Sequence, residues 1–119
     1  MTSASPSYRI QDRSVTLPCV VRDAESAAAT FLVDIAEARR LLPGPELDMV
    51  EILPGKALFS LGVIDYRDND LGDYDEVGVV FFVKPKADPD APMGSYIYKL
   101  PVNQSFTCEA GCRIWGFPK

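Results

Sequence analysis

The fold is decided by the stretch Ala57 to Val83, ALFSLGVIDYRDNDLGDYDEVGVVFFV. Its two ends are apolar and rich in β-branched and aromatic residues, and its middle is polar with glycine and aspartate. ALFSLGVI (Ala57 to Ile64) reads as a strand with Gly62 at a bulge position. YRDNDLGDYD (Tyr66 to Asp75) reads as a polar loop. EVGVVFFV (Glu76 to Val83) reads as a strand apolar on both faces, hence covered on both.

Strand-like segments recur on either side. VTLPCVV (Val15 to Val21) carries Pro18, which places it at an edge or a bulge. AATFLV (Ala28 to Val33) leads to Asp34, a side-chain acceptor suited to an N-cap, and to a short helix IAEARRLL (Ile35 to Leu42). Pro43-Gly44-Pro45 stops that helix. MVEIL (Met49 to Leu53) and YIYKL (Tyr96 to Leu100) are further strands. Asn103 can cap a second helix, with Phe106, Ala110 and Ile114 on one face and Gly116 at its end. The pattern predicts a mainly β (α+β) domain: an antiparallel sheet or barrel with short peripheral helices. Residues 1–7 read as a flexible tail and residues 8–119 as the folded domain.

Composition narrows the functions. The formal net charge of -5 argues against nucleic acid and against an anionic membrane surface as partner. No apolar run approaches the roughly 20 residues of a membrane span. Met1 to Ser7 has neither the basic nor the apolar region of a secretory signal. The three cysteines, Cys19, Cys108 and Cys112, are an odd number and read as reduced thiols, so a cytoplasmic protein is expected. The 119 residues contain no histidine, which removes Ser-His, Cys-His and His-metal chemistry from them. Cys108 and Cys112 lie one helical turn apart and read as buried thiols. The acidic run from Asp65 to Asp75 lacks the frame of a calcium loop, and Gly72 and Gly78 are followed by no Gly-Lys-Ser/Thr. Neither a metal nor a cofactor is expected.

Three ordered stretches resemble the acetoacetate decarboxylase family. They are ATFLVDIAEARRLLPG (Ala29 to Gly44), VIDYRDNDLGDYDEVGVVFFV (Val63 to Val83) and KLPVNQSFTCEAGCRIWGFPK (Lys99 to Lys119). The second carries Gly-x-Tyr-x-Glu-x-Gly at Gly72, Tyr74, Glu76 and Gly78. The third carries Gly111 and then Phe117-Pro118-Lys119. The resemblance implies a barrel- or cone-like sheet, and it makes Lys119 the amine that forms a Schiff base with a small keto acid. It implies that Glu76 assists proton transfer, that Tyr74 and Phe117 contact the substrate, and that an arginine holds its carboxylate. Arg13 and Arg22 are the candidates, with Arg67 behind them.

Physical chemistry sets a condition on this reading. A free lysine amine is protonated at neutral pH and imine formation needs it neutral. Apolar surroundings or a nearby cation favour the neutral form, and Trp115, Phe117 and Pro118 supply apolar neighbours. The family itself is the standard illustration of such a lysine. Set against this, a lysine at the end of a sequence is ordinarily solvated. One departure stands out: where the decarboxylases carry a strand glutamate, this sequence has Ser60 or Leu61. Decarboxylation of a β-keto acid such as acetoacetate is the first expectation. Aldol or dehydration chemistry on the same lysine is the second, and a non-catalytic binding or assembly module the third. The family's domain runs to roughly 200–250 residues, so residues 8–119 correspond to its front half. A second chain carrying the remainder, and assembly into a homo-oligomer, are expected on the same ground.

Overall fold

The computed structural model describes residues 4–119. In chain order it contains β1 (Ser7–Ile10), β2 (Arg13–Thr16), β3 (Val21–Asp34), α1 (Ile35–Arg39), β4 (Leu47–Met49), β5 (Lys56–Asn69), β6 (Tyr74–Pro85), β7 (Gly94–Lys99) and α2 (Ser105–Ala110). A π-helical turn follows at Gly111–Trp115. β1 and β2 form a two-stranded antiparallel ribbon. The other five strands form one sheet in the order β3-β5-β6-β4, with β7 also on β6. The chain is mainly antiparallel β, as the alternating apolar segments predict. The sheet is open, however: its strand order does not return on itself among the described residues, so the expected barrel closure is not seen.

The residues divide into two compact units, and β3, β5 and β6 contribute to both. The first comprises Met1–Ala27, Val63–Val77 and Leu100–Lys119, and the second Ala28–Gly62 and Gly78–Lys99. The second unit is built on Ile35, Ala38, Met49, Ala57, Phe81 and Val83. Asp34 caps α1 as expected, accepting from the Ala36 N–H at 2.9 Å. The helix is shorter than the apolar spacing predicts and ends at Arg39, since Leu41 and Leu42 turn back through Leu41 N–H to Ala38 O and Leu42 N–H to Arg39 O. β7 pairs with β6 in antiparallel register, Phe81 opposite Tyr96 and Val83 opposite Gly94.

The first unit is built on Ile10, Val15, Leu71, Tyr74, Phe106 and Ala110. Three expectations are corrected here. The segment Val15 to Val21 is not one strand: β2 ends at Thr16 and β3 begins at Val21, with Pro18 in the connection. The polar loop at 66–75 is mostly strand, since β5 runs to Asn69 and β6 starts at Tyr74. The actual turn is four residues. Asn69 closes it, its side chain accepting from Leu71 N–H at 2.7 Å and donating to Gly72 O at 2.6 Å. Gly72 takes φ +100°, a conformation side chains resist. Alternation hid this extension, because the polar residues of the strands point outward and pair with one another: Arg22 with Asp68 and Asp70, and Arg67 with Asp65 and Glu25.

The third correction concerns Asn103. It is not the cap of α2. Its side chain instead accepts from Asp75 N–H at 2.8 Å and donates to the Asp75 carboxylate at 2.9 Å. Gln104 stands at the N-cap and makes no capping bond. The helix then loosens at Gly111 into the π turn and ends at Gly116, which adopts φ +69°. For the expected tail, residues 1–3 lie outside the described residues, and Ser7 is paired with Thr16 in the ribbon.

Candidate active site

The site lies wholly within the first unit and is framed by backbone bonds. The segment after β7 runs beside the start of β6, with Val77 N–H on Pro101 O at 2.9 Å and a bridge between Glu76 and Val102. Leu100 N–H in turn donates to Pro118 O at 3.2 Å. One short stretch, 100–102, therefore holds both β6 and the segment that ends in Lys119. Along β6 the strand period of two puts Tyr74, Glu76 and Gly78 on the buried side and Asp75 outward.

Glu76 and Lys119 meet there. Lys119 Nζ is 3.0 Å from Glu76 Oε2, and the two side chains are 4% and 6% exposed. The ammonium also lies 5.3 Å from the centre of the Tyr74 ring and 5.9 Å from that of Phe117. Of the eight ion pairs among the described residues this one alone is buried on both sides. The two residues, 43 apart in sequence, are thus brought together as the resemblance implies, with Tyr74 and Phe117 beside them. The apolar surroundings expected of Lys119 are present, but its nearest charged neighbour is a carboxylate and not a cation.

Gly111 makes this placement possible. A Cβ on Gly111 would stand 2.6 Å from Lys119 Cε and 3.1 Å from Nζ, because the lysine side chain crosses the turn at that point. Phe117 N–H donates to Gly111 O at 3.1 Å and fixes the crossing. Alanine in a helical position ordinarily gains up to about 1 kcal/mol over glycine. Here we expect Gly111→Ala to destabilise by about 1–3 kcal/mol instead, as overpacking does. Urea unfolding checks this, and a gain in stability would show that the lysine does not occupy the lane.

Two tyrosines close the site. The rings of Tyr66 and Tyr74 stack with centroids 4.6 Å apart. Burial, and then the neighbouring Glu76 carboxylate, push both hydroxyls above the usual phenol range, Tyr74 the further. Both are therefore protonated donors at neutral pH. Their folded pKa values exceed the unfolded ones, so their contribution to stability is complete below about pH 10 and is lost as pH rises through the folded values. Alkaline titration followed by tyrosinate absorbance should find two of the five tyrosines ionising late, together with unfolding. Uniform ionisation in the ordinary phenol range would contradict their burial.

The arginines are placed differently. Arg13 lies 4.1 Å over the Phe106 ring and donates to Asp70 O at 3.3 Å. Arg22 is held by Asp68 at 3.0 Å and by Asp70 at 2.7 Å. Asp70, then Asp68, raise the Arg22 pKa further, and the Val20 N–H and Arg22 lower that of Asp70. Arg67 pairs with Asp65 and Glu25. All three guanidiniums are engaged with partners other than the lysine pair. Ser60 shares a 2.6 Å hydrogen bond with Thr30, and Leu61 is exposed. Neither supplies the strand carboxylate of the decarboxylases.

Sequence reasoning missed Tyr66 and Cys19. Tyr66 was assigned to a loop, and its inward direction followed only from β5 continuing to Asn69. Cys19 packs against the core of this unit. Burial and the Asp70 carboxylate raise its thiol pKa, partly offset by a hydrogen bond from the Asp70 backbone and by the charges of Arg22 and Lys119.

Comparison with known proteins gives one positive finding: the family model described as acetoacetate decarboxylase matches residues 4–119. No curated protein and no solved structure matches the chain significantly. The match covers essentially all of the sequence, including β6 with Glu76 and the closing segment with Lys119. The chain belongs to the acetoacetate decarboxylase family.

Proposed function

We propose that this chain carries the Schiff-base lysine of a carbon–carbon lyase acting on a small β-keto acid, with Lys119 as the nucleophilic amine. The observation that carries the reading is the buried contact of Lys119 Nζ with Glu76 at 3.0 Å. Moving one proton along that contact converts ammonium and carboxylate into amine and carboxylic acid. The neutral amine has the lone pair that attack on a ketone requires.

The steps then follow. Nζ bonds to the ketone carbon and gives up one proton to the oxygen, which takes a second from the Glu76 carboxylic acid and leaves as water, giving the protonated imine. The bond to the carboxylate breaks and its electron pair moves toward the imine nitrogen. CO₂ leaves and an enamine remains. Its carbon takes a proton, and water hydrolyses the imine to release the ketone and the free amine. Glu76 is the group positioned to hold the proton between steps. Tyr74 and Tyr66, kept protonated by burial, serve as hydrogen-bond donors and not as bases. Phe117 forms part of the wall around the amine.

A specific observation favours a second reading. With no glutamate at Ser60 or Leu61, the same imine can serve aldol or dehydration chemistry. The test is CO₂ release from acetoacetate by the protein. Release that depends on Lys119 supports decarboxylation. Lys119-dependent aldol or dehydration products without CO₂ select the second reading. Keto-acid binding unchanged by Lys119→Ala, with no turnover, would make the chain a binding module and overturn both.

A further inference from the structure

A cavity of about 570 Å³ opens beside the site, lined by Ala4, Ser5, Pro6, Leu17, Pro18, Cys19 and Trp115. Two of its walls lead toward the amine. Trp115 lies on Phe117, ring centroids 6.0 Å apart and 18° from parallel, and Phe117 is 5.9 Å from Lys119 Nζ. On the other side Cys19 packs against the core that includes Tyr74, whose ring centre is 5.3 Å from Lys119 Nζ. All of these residues belong to the first unit.

The cavity is open to solvent on one side and has more room than a four-carbon acid needs. Its lining is dominated by proline, leucine, cysteine and tryptophan, and carries no charged side chain. Trp115 is 38% exposed, although a large aromatic ring gains from being covered. A tail that is apolar and flat would cover it. A tail bearing charge would find no partner there.

We infer that the cavity between Pro18, Cys19 and Trp115 is a subsite for the substituent on the keto carbon, and that the preferred substrates are β-keto acids bearing an aryl or similarly bulky apolar group. This rests on Lys119 being the reacting amine. It assigns Trp115 as a residue that determines specificity.

Trp115 is the chain's single tryptophan, so its fluorescence reports on the subsite alone. The probes are acetoacetate and 3-oxo-5-phenylpentanoate, which share their reacting atoms and differ in the tail. In Lys119→Met, which removes the amine, the phenyl compound should still shift Trp115 emission to the blue in a saturable way, and acetoacetate should not. In the unaltered protein the phenyl compound should be preferred by at least about tenfold in kcat/KM. That preference ratio should collapse in Trp115→Ala and be retained in Trp115→Phe. Lys119 trapped equally well by both compounds, with no emission change, would overturn the subsite and leave the lyase reading intact. A saturable emission shift with no trapping of either compound at Lys119 would overturn the lyase reading, and with it the assignment of this cavity to the substrate.

Discussion

Lys119→Met will lower turnover of a β-keto acid by on the order of 10⁴-fold or more, and Lys119→Arg will lower it equally. Methionine matches the lysine stem in length and apolar character and removes only the nitrogen. Arginine keeps the positive charge and a comparable reach, but its guanidinium is never deprotonated in proteins. The pair separates two roles for the residue. If Lys119 only attracted an anionic substrate, arginine would preserve most of the rate. If it supplies a lone pair, both substitutions fail alike. The position of the side chain, 4% exposed and 3.0 Å from a carboxylate, favours the second. Steady-state kinetics on the two variants decides it, and substantial activity in Lys119→Arg would remove the covalent mechanism.

The second large effect is on stability. Lys119 and Glu76 form a buried ion pair, and removing one member leaves the other charge without a partner out of reach of water. Each of Lys119→Met and Glu76→Gln should cost about 3–5 kcal/mol. That is a large share of the 5–15 kcal/mol typical of a domain. The double substitution Lys119→Met with Glu76→Gln should cost less than the two losses added, since no charge is then left buried without a partner. The non-additive part should be about 0.5–3 kcal/mol. Urea unfolding of the wild type, both singles and the double variant measures it. Simple additivity would show that the two side chains do not interact energetically. Glu76→Gln should also slow turnover by about 10²–10⁴-fold, because the amide cannot take up the proton that the amine must release.

The β class was legible because it rests on alternation and on β-branched runs. Val79 to Val83 and Ala57 to Ile64 are strands by any reading of their residues. What escaped is where local polarity and long-range pairing disagree. Asp65, Arg67 and Asp68 look like a loop in one dimension, yet they lie on β5, where Arg67 pairs with Asp65 and Glu25 and Asp68 pairs with Arg22. Tyr66 was hidden among them for the same reason. Asn103 looked like a cap, and its side chain was taken by Asp75, 28 residues away. Lys119, Glu76, Tyr74 and Phe117 were legible only through the family pattern, because nothing in composition reveals that β6 and the last segment share a neighbour at 100–102. Arg13 and Arg22 are candidates by the family resemblance and its spacing, and neither shows that Phe106 and Asp70 already hold them. The role of Gly111 was legible as a motif position, but its cause is the path of one lysine side chain.

Reduction with borohydride in the presence of acetoacetate, followed by peptide mass mapping, tests the central claim most directly. The account predicts a stable secondary amine on Lys119. It carries an isopropyl group if reduction follows loss of CO₂, and a carboxylated four-carbon chain if reduction comes first. An unmodified Lys119, or an adduct only on solvent-exposed lysines, would contradict the claim that this buried amine is the reacting group.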